Sequence, residues 1–294
     1  MKLLFVLYFR VLKAPERTPL LPAALLGISK FAHLVNVDFF KDLLATLRTL
    51  IVREDTDSET AKNEGDDGAP LTGEAVSIRH RLMCIVTAFE LLSGQGTLLL
   101  DLWAKVSYCS TGEALNIDLV DFVNFLYGII LELALTTSIE DSEKIEARQG
   151  GHPSIASDKG STLKRHIGES SMADLLFRAL SLVFVTRSSA QESPSWRSAA
   201  FAKRLLTAAL SWPPRTACRA INFTRALLSR DPTLEALLSA EEKVASGIYR
   251  PDISDPQLSG ALHAANFWEL RALAKGHWDA GVREEARRLI QFNR

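Results

Sequence analysis

Cysteine is scarce in this sequence: only Cys84, Cys109 and Cys218, with no close spacing. So sparse and odd a set cannot supply a disulfide framework and fits a reducing compartment such as cytosol or nucleus. Long apolar runs are missing as well. Crossing a bilayer takes about 20 consecutive apolar residues, and the longest candidate, after Val123, is broken by Glu132. Residues 3–9 form an apolar stretch, but Arg10 and Lys13 follow and no small-residue cleavage site appears, so a buried or amphipathic helix is expected there rather than a signal peptide. A dominant charge is absent too. The net charge is −1, which commits the chain to neither nucleic acid nor membrane through its overall field. A soluble protein with no membrane partner is expected.

The signatures of catalysis are also lacking. There is no Gly-rich phosphate loop, no G-x-S-x-G elbow and no His-x-x-x-His metal spacing. The six histidines are scattered. Gly94-Gln95-Gly96 is too short for a phosphate cradle and reads as the turn after a helix. Asp66-Asp67 and Glu241-Glu242 fall in linker or exposed positions, where solvated surface is the natural reading. Asn222-Phe223-Thr224 matches a glycosylation sequon but lies in a strongly helical stretch. No catalytic, metal-binding or cofactor-binding residue is assigned, no cofactor is expected, and the chain does not read as an enzyme.

What is present is helical periodicity. A helix is predicted over residues 20–35 and a second over 38–52, with Phe40, Leu43, Leu44, Leu47, Leu50 and Ile51 on one face. Asn36 suits the left-handed residue that ends a helix and Asp38 suits an N-cap, so Asn36-Val37-Asp38 reads as a tight turn between helices. The device recurs at Asn116-Ile117-Asp118, followed by Leu119, Phe122, Val123, Leu126, Ile129, Ile130 and Leu133, with an upstream helix over 74–92 as partner. Two such units fit an all-α, HEAT- or armadillo-like solenoid of stacked helix pairs. A helical bundle would reuse the same stripes and caps.

Further helices are predicted over 169–187, 195–211, 214–230, a short one near 233–238, then 261–275 and 280–292. Pro213 and Pro214 suit a helix start, and Pro232 marks a break. The chain therefore divides into a first helical-repeat segment (1–53), an acidic linker (54–73), a second helical-repeat segment (74–137), a Ser-, Gly- and charge-rich linker (138–168) and a C-terminal helical segment (169–294). Both linkers have little to bury and are expected to be disordered. Residues 97–112 are atypical within the second segment: they are apolar, with Trp103 among leucines, where a short turn is expected.

The near-zero net charge hides a segregation. From residue 164 to 230 there are eleven Lys and Arg against three acids, Glu169, Asp174 and Glu192. On the helix starting at Pro214, the residues Arg215, Arg219, Asn222 and Arg230 fall on one side, opposite Ala217, Ala220, Ile221, Thr224, Leu227 and Leu228. Lys203 and Arg204 on the preceding helix extend this face in the same reading. It is either an ordinary solvated face or an Arg-rich surface for RNA phosphates or an acidic partner helix. Guanidinium forks match phosphate geometry, which favours the second. Aromatic residues do not interleave with these arginines, so contact to RNA backbone rather than base stacking is expected.

Several longer stretches resemble one family. Tyr8-Phe9-Arg10-Val11-Leu12-Lys13, Leu20-Leu21-Pro22-Ala23 and Lys30-Phe31-Ala32-His33-Leu34-Val35-Asn36-Val37-Asp38-Phe39-Phe40 are similar to the nucleolar complex-associated proteins. So are Thr87-Ala88-Phe89-Glu90-Leu91-Leu92-Ser93-Gly94-Gln95-Gly96, Glu113-Ala114-Leu115-Asn116-Ile117-Asp118, Ala200-Phe201-Ala202-Lys203-Arg204-Leu205, Tyr249-Arg250-Pro251-Asp252, Asp255-Pro256 and Trp268-Glu269-Leu270. The resemblance implies a "CCAAT-binding factor" type domain of helical repeats. It implies work in the nucleolus on large ribosomal subunit precursors and ribosomal RNA, in a heterodimer with another nucleolar complex protein, among pre-ribosomal particle proteins. A role on chromatin in DNA replication initiation is the alternative it carries. Relatives have a long region ahead of the point at which Met1-Lys2-Leu3 begins, so a fragment or shortened gene model is expected. Relatives also run almost directly from the Ser-Gly-Gln-Gly turn to Glu-Ala-Leu-Asn. Residues 97–112 are accordingly expected to be a translated, unspliced intron, an idea that transcripts consistently carrying the segment would exclude.

Overall fold

The computed structural model describes residues 2–14, 18–31, 37–63, 71–94, 119–136, 138–141, 170–184, 194–238 and 248–291. Among the described residues there are eleven α-helices, one 3-10 helix and no strand. The helices are α1 (Lys2–Leu12), α2 (Leu21–Lys30), α3 (Val37–Asn63), α4 (Leu71–Gly94), α5 (Leu119–Ala134), α6 (Met172–Phe184), α7 (Ser195–Ala209) and α8 (Pro214–Arg230), then the 3-10 turn Pro232–Leu237, α9 (Ala261–Ala264), α10 (Trp268–Gly276) and α11 (Ala280–Ile290). No helix among them is long and apolar enough to cross a membrane.

Consecutive helices pack as pairs, α1 with α2, α3 with α4, α7 with α8 and α10 with α11. The pairs join through α2–α4, α4–α6, α5–α7 and α8–α11. This is an all-α helical-repeat fold. Two helices lie at its centre. α4 is buried on nearly every side from Ile78 to Leu91, as a helix surrounded by others must be, and it meets α2, α3, α5 and α6. α7 carries five buried alanines (Ala199, Ala200, Ala202, Ala208 and Ala209), whose small side chains let α5, α8, α9 and α10 approach. Packing at the periphery also depends on small size. A Cβ on Gly27 of α2 would collide with the hydroxyl end of the Tyr8 ring of α1.

Several helix boundaries follow the sequence logic. Pro214 opens α8 at the first helical position, where its missing N–H costs nothing. Asp231 closes α8 and accepts from the Thr233 N–H at 3.0 Å to start the 3-10 turn. Asp279 caps α11 by accepting from the Val282 N–H. The stripe from Phe122 to Leu133 is buried as its spacing requires.

Other boundaries differ. α3 runs on to Asn63, so its last turns occupy the stretch read as the start of the 54–73 linker. The acids there are met by bases of α4: Arg81 pairs with Asp55 at 2.6 Å, and His80 lies 3.9 Å from the buried Glu54. The predicted 261–275 helix is broken between Ala264 and Trp268. Ala265 is extended and the Phe267 N–H donates to the Leu237 carbonyl at 2.8 Å, a bond a continuous helix would forbid. Residues 138–141, assigned to the second linker, form a turn with Ile139 buried and its carbonyl bound by the Ala173 N–H. Asn36, the turn from Asn116 to Asp118 and residues 97–112 lie outside the described residues, as does the side chain of Asp38.

Polar ties cross the core. Arg81, almost wholly buried, reaches from α4 to Asp55 on α3 and forks onto the Glu132 carboxylate of α5. Glu90 on α4 accepts from Ser29 of α2 and pairs with Arg178 of α6.

Candidate nucleic-acid and partner interface

The sequence placed Lys203 and Arg204 on an exposed basic face. They are 3 % and 1 % exposed. Their helix is buried on nearly all sides, so at these two positions the cation faces inward, and neither can meet an external phosphate. Arg204 donates to the carbonyls of Tyr127 (2.8 Å), Ile253 (2.9 Å) and Pro251, and its guanidinium stacks on the Tyr127 ring. Burial pulls its pKa down, opposed by Tyr127, Tyr249 and Asp252. Lys203 pairs with the equally buried Glu269 of α10 at 2.6 Å and donates to the Asn266 carbonyl at 2.8 Å. Burial lowers its pKa, while Glu269 works the other way. Both cations join α7 to the segment from Tyr249 to Glu269, a structural role that the basic composition concealed.

On α8 the amphipathic reading matches the packing: Ala217, Ala220, Ile221, Thr224, Leu227 and Leu228 are buried. The arginines opposite them divide. Arg215 is exposed. Arg219 is half-buried, pairs with Asp174 of α6 at 2.8 Å and lies over the Phe177 ring at 4.4 Å. Arg230 is exposed at its residue surface yet donates to the Phe184 carbonyl. Arg225 binds Glu285 of α11 at 2.8 Å. The basic face is therefore partly internal bracing, and Arg215 is its most available cation. Arg215, Arg219 and Arg230 share one helix, while Lys203 and Arg204 stand apart in the core.

Sequence reading missed a second basic surface. The outward side of α10 carries Trp268, Arg271 and Lys275, and Trp278 projects from the turn beyond. The i, i+3, i+7 spacing of Trp268, Arg271 and Lys275 is its signal in the sequence.

Elsewhere, a groove of about 560 Å³ runs between α1 and α3 beside Leu12, Lys13, Asp42 and Arg53. Three of its polar side chains are spent within the fold. The Thr46 and Thr49 hydroxyls donate to carbonyls one turn back on their own helix, and Arg53 donates to the Ala14 carbonyl. That arrangement supplies bracing rather than convergent donors for a small molecule.

Residues 81–286 match the CBF/Mak21 family, a span from the middle of α4 into α11. The chain is 32 % identical to the nucleolar complex protein 3 homolog of Homo sapiens over 290 residues, which is 99 % of this chain and 27 % of the human protein. It is 28 % identical to nucleolar complex-associated protein 3 of Schizosaccharomyces pombe over 292 residues, covering 99 % of this chain and 34 % of that protein. The corresponding protein of Saccharomyces cerevisiae is 27 % identical over 278 residues, 95 % of this chain and 36 % of its own length. The chain thus spans about a quarter to a third of the relatives it matches. With the family match covering most of the chain, including all of α7 and the buried Arg81, Lys203 and Arg204, this chain belongs to the CBF/Mak21 family.

Proposed function

We propose that this chain is a non-catalytic helical scaffold of the nucleolus that acts in ribosome biogenesis, in the assembly of large-subunit precursors. The observation that carries this reading is the alignment of nearly the whole chain with nucleolar complex proteins from human and two yeasts. The geometry fits a scaffold. Charged groups in the interior are consumed in holding helices together, as with Arg81, Lys203 and Arg204, and what remains outward is helix surface.

Its partners in this reading are another nucleolar complex protein, with which it forms a heterodimer, the proteins of the pre-ribosomal particle, and ribosomal RNA. Arg215 is the first RNA contact on α8, with Arg219 and Arg230 contributing where their internal partners release them. Sedimentation of the tagged full-length protein tests the scaffold. Co-migration with large-subunit precursors is expected. Retention on chromatin that salt removes, without such co-migration, would replace this reading with a replication role.

A further inference from the structure

The outward face of α10 combines features that α8 does not. Trp268, Arg271 and Lys275 fall within about 60° of one another around the helix, along a rise of roughly 10 Å. Trp268 is 51 % exposed, and Trp278, just past the helix end, is 76 % exposed. Arg271 and Lys275 are exposed and enter no ion pair among the described residues. The acids of α10, of α11 and of the turn between them are already committed. Glu269 is buried against Lys203, Asp279 caps α11, and Glu284 and Glu285 pair with Arg288.

Both rings are braced from one side. The Trp278 ring stacks on His277, with centroids 5.7 Å apart and planes 21° from parallel. The turn carrying it is fixed by Arg283, which donates to the His277 carbonyl at 2.6 Å and the Trp278 carbonyl at 2.9 Å. The Asp279 N–H donates to the His277 Nδ1 at 3.1 Å. The Lys203 ammonium lies 5.4 Å from the Trp268 ring centroid. Arg283 also places a cation at the carbonyl end of α10, where the helix dipole would otherwise repel an anion.

We propose that the outer face of α10 and the turn after it form a platform for single-stranded RNA, with bases stacking on Trp278 and Trp268 and phosphates meeting Arg271 and Lys275. The proposal rests on the RNA-associated scaffold reading above and adds a site and a class of nucleic acid. Stacking needs a flat ring whose orientation is already set, so that little ordering is left for the binding step, and bracing by His277 and Arg283 provides it. Two cations lying between two exposed rings fit a nucleic-acid strand, whose phosphates separate its bases. The core of a protein-docking surface is by contrast depleted in lysine.

The test uses the full chain and a fluorescein-labelled oligouridylate, followed by anisotropy, with a duplex of the same length as comparison. Trp278→Ala is expected to weaken single-strand binding roughly tenfold or more, and Trp278→Phe to retain most of it. The Arg271→Glu, Lys275→Glu pair is expected to weaken binding and to flatten the log–log salt dependence by about 1.4. Because Trp278 is so exposed, Trp278→Ala leaves the fold intact, which circular dichroism verifies. Single-strand affinity of Trp278→Ala within about twofold of the parent overturns the proposal. So does a parent chain that binds no single strand; if Trp278→Ala then also leaves the sedimenting particle, the face docks protein instead. Co-migration of the parent chain is read separately, so the platform can fail while the scaffold stands.

Discussion

The Arg204 guanidinium lies over the Tyr127 ring, 3.5 Å from its centroid, while one of its nitrogens donates to the backbone carbonyl of the same tyrosine. One side chain of α7 thereby holds α5 at both ring and backbone, and its other nitrogen gathers Pro251 and Ile253. Removing the cation strands three carbonyls and opens a hole over the ring. Arg204→Met is therefore expected to lower unfolding free energy by about 3 kcal/mol or more. Arg204→Lys recovers only part, because an ammonium cannot stack and fork together. Urea denaturation of the two variants checks the order. Equal stability of parent and Arg204→Met would show that the buried fork contributes nothing.

Arg81 provides a second internal tie, with a different expected energetic profile. Its own side chain is buried, but Asp55 and Glu132 are 45 % and 32 % exposed, so water shares in their stabilisation. Arg81→Ala is expected to cost about 2–4 kcal/mol through lost packing and the stranded fork, and Asp55→Asn under about 1 kcal/mol. A double-mutant cycle between Arg81→Ala and Glu132→Gln should report a coupling of about 1 kcal/mol or more. Additive effects would mean that α4 and α5 are joined by apolar contact alone.

On α8 the arginines separate by environment, so their substitutions should separate too. Arg215 has no hydrogen-bond or ion-pair partner among the described residues, and Arg215→Glu is expected to change stability by less than about 0.5 kcal/mol. In the scaffold reading it lowers RNA recovery after crosslinking. Arg219→Glu faces Asp174 with a second carboxylate and loses its place over Phe177, and is expected to cost about 1–2 kcal/mol. Thermal unfolding alongside crosslinking distinguishes a lost contact from a loosened helix. Unchanged RNA recovery for a folded Arg215→Glu chain would remove α8 from the RNA-binding surface.

The difference between α7 and α8 explains how far the sequence could be read. On α8 the apolar and polar positions alternate with the helical period, and the buried set followed directly. On α7 the run from Ala199 to Arg204 contains two cations in an otherwise apolar, alanine-rich context. Composition marks Lys203 and Arg204 as surface, because their partners are remote in sequence: Glu269 for one, the carbonyls of Tyr127, Pro251 and Ile253 for the other. The acidic stretch after Arg53 misled for a similar reason. Asp55 has nothing to bury against locally, yet Arg81 lies beside it once α4 packs on α3. Local period was legible and long-range charge pairing was not. The α10 face was legible in principle, but its helix boundary depends on the Phe267–Leu237 backbone bond.

Cys84 offers a test of core burial by pH. It is wholly buried on α4, and burial, reinforced by the Glu54 carboxylate, raises its pKa far above the ordinary 9.0. In the unfolded chain the thiol ionises near that value, whereas in the folded chain it keeps its proton. The folded state therefore binds more protons above pH 9, and the corresponding stability, fully present below pH 9, declines as pH rises. One such group contributes a slope of about −1.4 kcal/mol per pH unit once the unfolded thiol is ionised. Cys84→Ala removes this component while leaving every other titrating group in place. The parent chain should thus lose stability more steeply than Cys84→Ala between pH 9 and 10 in urea titrations. Parallel curves would mean that the thiol is reachable by water, and that α4 is less enclosed than its packing against α2, α3, α5 and α6 requires.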